Sequence, residues 1–95
     1  MALRAALGEL ARFYRRNGYV RRQNAQRVSA EGFQVYKKGD EVRFTAESHG
    51  ELRTIRRLLK RAGFRPGHPF VKGRGFRQPV YGRAEVARFL QLIGE

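Results

Sequence analysis

The side chains in this sequence that are best suited to chemistry are cationic. Lys and Arg number 21 against 8 Asp and Glu, which gives a formal net charge of +13 at pH 7, and 17 of the cations are arginine. A chain this basic repels itself unless a polyanion is nearby. Guanidinium groups bind phosphate oxygens and guanine edges through paired hydrogen bonds. A bias in base composition would explain the excess of Arg over Lys but not the shortage of acids, so we expect a nucleic-acid partner.

The acidic residues form no pattern suited to hydrolysis. No two carboxylates are spaced to share a metal ion, as metal-assisted cleavage of a phosphodiester requires. Asp40 falls in a predicted turn, Glu47 and Glu51 belong to the start of a helix, and Glu85 stands three residues before Arg88. We therefore predict no catalytic residues, no metal site and no cofactor.

The histidine and serine residues also lack catalytic context. His49 and His68 have no thiol or second histidine close by in the sequence, and Ser29 and Ser48 lack the partners of a nucleophilic triad.

The chain contains no cysteine, which favours a reducing compartment. No apolar run approaches the roughly 20 residues of a membrane span, and the first ten residues lack the apolar block of a signal peptide. We expect a single cytoplasmic domain over residues 1–95 that is not membrane-bound and is associated with the nucleoid if it binds DNA.

The segment Ser48–Pro66 organises the fold, since it carries the start, body and stop of a helix. Ser48 and Glu51 have the spacing of a capping box. Leucine, isoleucine and alanine residues at helical spacing form an apolar stripe, and the opposite face is basic. Gly63 suits a left-handed C-terminal cap, after which Pro66 prevents continuation.

The other elements follow from periodicity and turn residues. Pro79 should place its strand near a sheet edge or at a bulge. The predicted elements are a helix over Leu3–Arg16 ended by Asn17-Gly18, a polar strand over Tyr19–Val28, a hairpin or one bulged strand over Phe33–Ala46 around Lys38-Gly39-Asp40, a second hairpin of Pro69–Val71 and Phe76–Tyr81 around Gly73-Arg74-Gly75, and a helix over Arg83–Ile93.

A weak internal repeat relates the exits of the first two helices, FYRRNGYVRR and LLKRAGFRPG. Two αββ units and a closing helix give the order αββαββα. We predict an α+β fold with a curved, mainly antiparallel four-stranded sheet and helices on one face, which leaves the other face free.

Side-chain alternation along the strands then selects contact residues. If Val42 and Phe44 face the helices, Arg43 and Thr45 face outward. The register of the first strand stays open, because either alternate set supplies polar and cationic side chains. The candidate nucleic-acid contacts are Arg21, Arg22, Gln23, Asn24, Gln26, Arg27, Lys37, Lys38, Arg43, Lys72, Arg74, Arg77 and Gln78.

The helix ending in Asn17-Gly18, the stretch EVRFTAESHGELRTIRRLLKRAGF and the closing YGRAEVARFLQLIGE together resemble a LAGLIDADG-type homing endonuclease half-domain. The resemblance implies an αββαββα unit whose curved sheet lies in the DNA major groove and whose first helix packs against a partner. It also implies a metal-binding acid just before the glycine that ends that helix. Here Asn17 occupies that position, flanked by Arg15 and Arg16, and an amide is a poor ligand for Mg²⁺.

A glycine within the first helix points to a close contact, since Gly costs about 1 kcal/mol relative to Ala there. We predict a homodimer through a strip of small residues that includes Gly8, with the alternative that Gly8 lets the helix lie close on its own sheet. The predicted interface residues are Leu3, Ala5, Leu7, Gly8, Leu10 and Ala11.

The function predicted from these observations is selective binding of double-stranded DNA without cleavage. Two alternatives remain. One is an RNA-binding module associated with an intron or the ribosome, because a basic sheet with aromatic residues can stack bases. The other is a metal-dependent DNA endonuclease that uses dispersed carboxylates.

Overall fold

The computed structural model describes residues 2–22 and 39–95. The elements within these residues are α1 (Leu3–Asn17), β1 (Tyr19–Arg21), β2 (Glu41–Ala46), α2 (His49–Arg61), β3 (Phe70–Lys72), β4 (Gly75–Tyr81) and α3 (Arg83–Leu92). The predicted α+β class and the order αββαββα are confirmed.

All strand pairs of the four-stranded sheet are antiparallel, and the strand order is β1-β2-β4-β3. In the long pair β2 and β4, Val42 lies opposite Val80 and Phe44 lies opposite Gln78. These four side chains are buried. Because strand side chains alternate, Arg43 and its partner across the ladder belong to the opposite side of the sheet.

The helices meet the face that carries Phe44. The ring of Phe44 contacts Tyr14 of α1 edge-on at 6.4 Å and Phe89 of α3 at 5.2 Å between ring centroids. Helix α2 reaches the same face through Arg56, whose Nη1 donates to Oε1 of Gln78 at 2.7 Å. All three helices of the described residues therefore contact the same side of the sheet.

The ends of α2 form as the sequence predicts. Ser48 Oγ accepts from the backbone N–H of Glu51 at 3.1 Å, while the Glu51 carboxylate accepts from the N–H of Glu47 at 3.0 Å, one residue before the cap. At the other end Gly63 has φ +85° and the N–H of Phe64 donates to the carbonyl of Leu59 at 2.8 Å. This is the Schellman motif, which satisfies carbonyls that the helix leaves free.

The described residues bear on two of the strand predictions. Strand β1 ends at Arg21 in the described residues, and the predicted continuation to Val28, like the segment 33–38, lies outside them. Pro79 lies in β4, the strand next to the edge strand β3, which agrees with its expected place near a sheet edge. The position is a local edge, because β3 pairs only with Gly75–Arg77 and the Pro79 carbonyl instead accepts from the N–H of Gly67 at 2.8 Å.

Among residues 2–22 and 39–95, no helix has both the length and the apolar content that crossing a membrane demands.

Candidate nucleic-acid interface

The sheet surface opposite the helices is rich in cationic and aromatic side chains. Strand register places one alternate set of residues from all four strands on this side. We call it the open face, and it consists of Tyr19, Arg21, Glu41, Arg43, Thr45, Phe70, Lys72, Arg77, Pro79 and Tyr81.

Arg43 stands at the centre of the open face and is held from several directions. Its Nε donates to the Glu41 carboxylate, and its Nη1 donates to the Tyr19 hydroxyl at 3.2 Å. The guanidinium carbon lies 4.9 Å from the Phe70 ring centroid and 5.9 Å from that of Tyr19. Only 14% of the Arg43 side chain is exposed. The network fixes the direction of the guanidinium, as recognition of a defined target requires.

The pKa of the Tyr19 hydroxyl depends on the cations of this surface. Burial alone would raise its pKa, but hydrogen bonds from Arg43 and Arg77, together with the charges of Arg43 and Lys72, outweigh that effect and lower the pKa. A positive field favours the charged form of an acid. At the Tyr19 hydroxyl, the neighbouring cations therefore favour the charged form.

Arg77, Lys72 and Arg74 extend this positive field toward the β3–β4 turn. Arg77 is half-buried, and its buried Nε has no hydrogen-bond partner among the described residues. Lys72 and Arg74 are exposed. All three cations help to line a depression of ≈ 460 Å³ beside the turn. Glu47 also lines this depression, while Glu41 is the one carboxylate among the described residues of the open face itself.

The predicted contacts on the first strand divide between two positions. Val20 pairs with Val42, so Arg21 shares the outward side with Tyr19. Arg21 is exposed, and its Nη1 lies 3.9 Å from Glu41 Oε1. Arg22 follows the strand and pairs with Asp40 at 3.2 Å. The candidates Gln23, Asn24, Gln26, Arg27, Lys37 and Lys38 lie outside the described residues.

The prediction that Gln78 contacts nucleic acid is wrong. Its register partner is Phe44, so it faces the helices, and its side chain is fully buried. Gln78 Nε2 donates to the carbonyls of Gly67 at 2.8 Å and Pro79 at 2.9 Å, and its carbonyl accepts from Arg56. A buried amide needs such partners, and here they come from the loop before β3, from β4 itself and from α2.

The carboxylates of the described residues are all engaged by arginines. Seven acidic side chains fall within these residues, and each lies at ion-pair distance from an arginine. The pairs are Glu9 with Arg12, Asp40 with Arg22, Glu41 with Arg21 and Arg43, Glu47 and Glu51 with Arg16, Glu85 with Arg88, and Glu95 with Arg15. Within the same residues, no three His, Cys, Asp or Glu side chains cluster in a way that could hold a metal ion.

The contacts of the residues before Gly18 are structural. The backbone carbonyl of Asn17 accepts from Thr45 Oγ1 at 2.9 Å, which ties the end of α1 to β2. The two preceding cations are also occupied. Arg15 binds Glu95 and the Ile93 carbonyl, and Arg16 binds the Glu51 carboxylate through two nitrogens at 2.8 and 3.1 Å.

The predicted dimer strip on α1 is partly exposed. Leu3 is 55% exposed, and a Cβ built on Gly8 meets nothing within 4 Å. Gly8 therefore does not serve to bring α1 close to its own sheet, and that alternative is wrong. A groove of ≈ 380 Å³ lies beside it, with Leu7, Ala11 and Leu92 of α3 in its wall. Ala5 is exposed as well.

Leu10 does not belong to that strip. Its side chain is fully buried in the core between α1 and the sheet, so it was wrongly predicted as an interface residue. Ala11 is also buried at 6% exposure, although it borders the groove. A helix turns about 100° per residue, so Leu10 lies on nearly the same side of the helix as Leu3 and Leu7. The sequence pattern alone does not show which of the three is buried.

Sequence reasoning missed Tyr19 and Phe70 as members of the candidate site. The signal for Tyr19 was present, because placing Val20 in the core puts Tyr19 and Arg21 on the outer side of the strand. Phe70 gave no such signal, since an aromatic residue in a short strand is expected to face the core.

No protein-family model, curated protein or solved structure matches this chain.

Proposed function

We propose that this protein binds double-stranded DNA through the open face of its sheet. The observation that carries the proposal is that Arg43, Arg77 and Lys72 share one side of the sheet with Tyr19, whose hydroxyl accepts from Arg43, on a surface where Glu41 is the one acid among the described residues. Phosphate contacts supply affinity and orientation, while a fixed guanidinium can read a base edge. The surface offers both, because Lys72 is exposed and Arg43 is held.

The burial of the aromatic rings and their contact with Arg43 favour a duplex over a single-stranded ligand. Single-strand binders stack unpaired bases on exposed aromatic rings. Here the rings of Tyr19 and Phe70 are half-buried and lie beside the Arg43 guanidinium. A base would have to displace Arg43 to stack on either ring, whereas a duplex can meet the cation itself.

Competition distinguishes the two classes of nucleic acid. A fluorescent duplex of about 24 base pairs, long enough to span two turns of DNA, is first bound to the protein. Unlabelled duplex DNA should displace it at lower concentration than a structured RNA or a single strand of equal phosphate number. Displacement by RNA at the lower concentration would replace this proposal with the RNA-binding alternative.

The same proposal takes the protein to bind without cutting. It is supported by Asn17 in the position where the resembled endonucleases carry an acid and by the arginine partner of each described carboxylate. Supercoiled plasmid incubated with Mg²⁺ or Mn²⁺ should stay intact at protein concentrations that saturate it. Metal-dependent nicking that disappears on Glu9→Gln or Asp40→Asn would establish the endonuclease alternative.

We also propose that the active form is a homodimer joined along α1. Exposed Leu3 and Leu92 flank the open space at Gly8, and a second helix laid there would cover apolar surface. Sedimentation equilibrium at micromolar concentration should give a dimer mass, and Gly8→Leu should shift it to the monomer. That variant should fold, because a Cβ at this exposed position meets nothing within 4 Å. A monomeric wild type, or a folded Gly8→Leu dimer, would remove this interface.

A further inference from the structure

A second basic surface lies along the outside of α2, away from the sheet. The helix buries Ile55, Leu58 and Leu59 in the core. Residues two positions from a buried one lie about 200° around a helix. Arg53 and Arg57 stand two positions on either side of Ile55, and Lys60 stands two positions after Leu58. Arg53, Arg57 and Lys60 form a single exposed stripe, which we call the outer stripe.

The outer stripe carries charge that the described residues do not neutralise. No carboxylate within residues 2–22 and 39–95 pairs with Arg53, Arg57 or Lys60, and each acid there lies at ion-pair distance from some other arginine. Arg53 and Arg57 are spaced i, i+4, and Arg57 and Lys60 are spaced i, i+3, so they are neighbours on the helix and repel one another. An anion lying along the helix would relieve this repulsion.

The geometry of the stripe fits a phosphate backbone. Its ends are seven residues apart in the sequence, which is about 10 Å along a helix axis. One DNA strand places a phosphate about every 3.4 Å of its axis. The strand also winds around this axis, so neighbouring phosphates are further apart than the axial rise, and the stripe can lie along roughly two of them. It contains no Asn, Gln or aromatic residue, and its two arginines have no fixing partner among the described residues that would aim them at a base edge.

We propose that the outer stripe is a second, sequence-independent binding surface for nucleic-acid phosphates, so that one domain can hold two duplex segments on separate surfaces. The bridging part of this inference rests on the proposed function, because the first duplex is the one bound at the open face. The second segment is bound by charge alone, since the three side chains have no fixing partners among the described residues.

Energy transfer between two duplexes separates bridging from ordinary binding. Two duplexes of about 24 base pairs, one carrying a donor and one an acceptor fluorophore, are mixed with the protein, and energy transfer reports their bridging. Anisotropy of the donor duplex alone reports ordinary binding. The double variant Arg53→Gln/Arg57→Gln is compared with Arg12→Gln/Arg83→Gln, which removes the same charge from exposed positions outside the open face and the outer stripe.

We expect the wild type to bridge and Arg53→Gln/Arg57→Gln to reduce bridging several-fold more than the control does, while its affinity for a single duplex matches that of the control. The salt dependence of bridging should also fall in slope by about 2, or about one for each phosphate that the variant no longer neutralises. Bridging that survives in Arg53→Gln/Arg57→Gln would contradict the inference and would mean that a dimer with two open faces bridges the duplexes. A wild type that binds one duplex without bridging would overturn this inference alone, and one that binds no duplex would overturn the proposed function as well.

Discussion

The two basic surfaces of this domain hold their charge in different ways. On the open face, Arg43 is fixed by Glu41, Tyr19 and the ring of Phe70. On the outer stripe, Arg53 and Arg57 extend from a helix with no such partners among the described residues. A fixed guanidinium presents its donors in one direction, which suits recognition of a shape or base edge, whereas a free one contributes mainly charge. Two surfaces of similar charge can therefore differ in function.

The largest expected effect is that of salt, because both surfaces are proposed to bind phosphates. With on the order of 6 to 10 phosphate contacts, affinity for duplex DNA should fall by roughly 10³ to 10⁵ between about 50 and 200 mM salt. Fluorescence anisotropy across that range measures it. A flat response would contradict an electrostatic role for either surface.

A change that conserves charge separates the two surfaces most sharply. Arg43→Lys keeps the positive charge but removes the fork of donors and the stacking on the rings, so duplex affinity should fall by about 10-fold to 100-fold, the equivalent of roughly 1–3 kcal/mol. Arg53→Lys should change affinity by less than about twofold, because its charge is kept. Equal effects of the two variants in anisotropy titrations would mean that the open face also acts through charge alone.

On the buried side of the sheet, the hydrogen bonds of Gln78 should contribute to the stability of the fold. Gln78→Leu removes hydrogen bonds to the Gly67 and Pro79 carbonyls and to Arg56, and it should lower the free energy of unfolding by about 1–3 kcal/mol. The same substitution at the exposed Gln91 should change it by less than about 0.5 kcal/mol. Urea denaturation of both variants checks this, and a neutral Gln78→Leu would show that the buried amide is dispensable.

The smallest effect concerns the ion pair that joins α1 to α2. Hydrogen bonds from Arg16 and from the Glu47 N–H, with the Arg16 charge, lower the pKa of Glu51 to about 2 from 4.5 against the opposing effect of burial. A lowered pKa stabilises the fold above pH 4.5, and this stabilisation disappears as the pH falls from 4.5 toward 2. Since the pair is partly exposed, its contribution should be about 1 kcal/mol.

Urea denaturation of the wild type and Glu51→Gln at about pH 7, 5 and 3 measures that contribution. The difference between them should be largest at neutral pH and shrink in acid. The surface pair of Glu9 and Arg12 provides the control, since Glu9→Gln should have little effect at any pH. A difference between wild type and Glu51→Gln that grows as the pH falls would contradict the sign of this prediction.

The helices could be predicted from the sequence because their signals are local. Ser48 and Glu51 mark the start of α2 and Gly63 marks its end, and the structure has the cap and the Schellman motif there. The outward direction of Arg43 was also predictable, because Val42 and Phe44 alternate with it in one strand.

Contacts that depend on strand pairing could not be predicted in the same way. The role of Gln78 is set by its position opposite Phe44 and by the loop carbonyl of Gly67, neither of which is local in sequence. A polar residue beside Arg77 is equally compatible with either face until the register is known. The aromatic partners of Arg43 come from β1 and β3, which are distant in the chain for the same reason.

The central claim, that the open face is the duplex-binding surface, is tested most directly by Arg43→Gln/Arg77→Gln. Its affinity for a duplex at low salt is compared with that of Arg12→Gln/Arg83→Gln, which removes the same charge from exposed positions on α1 and α3. We predict that the open-face variant loses at least about 10-fold more affinity than the control, since each fixed contact is worth roughly 1–3 kcal/mol. Equal affinities of the two folded variants would contradict the claim.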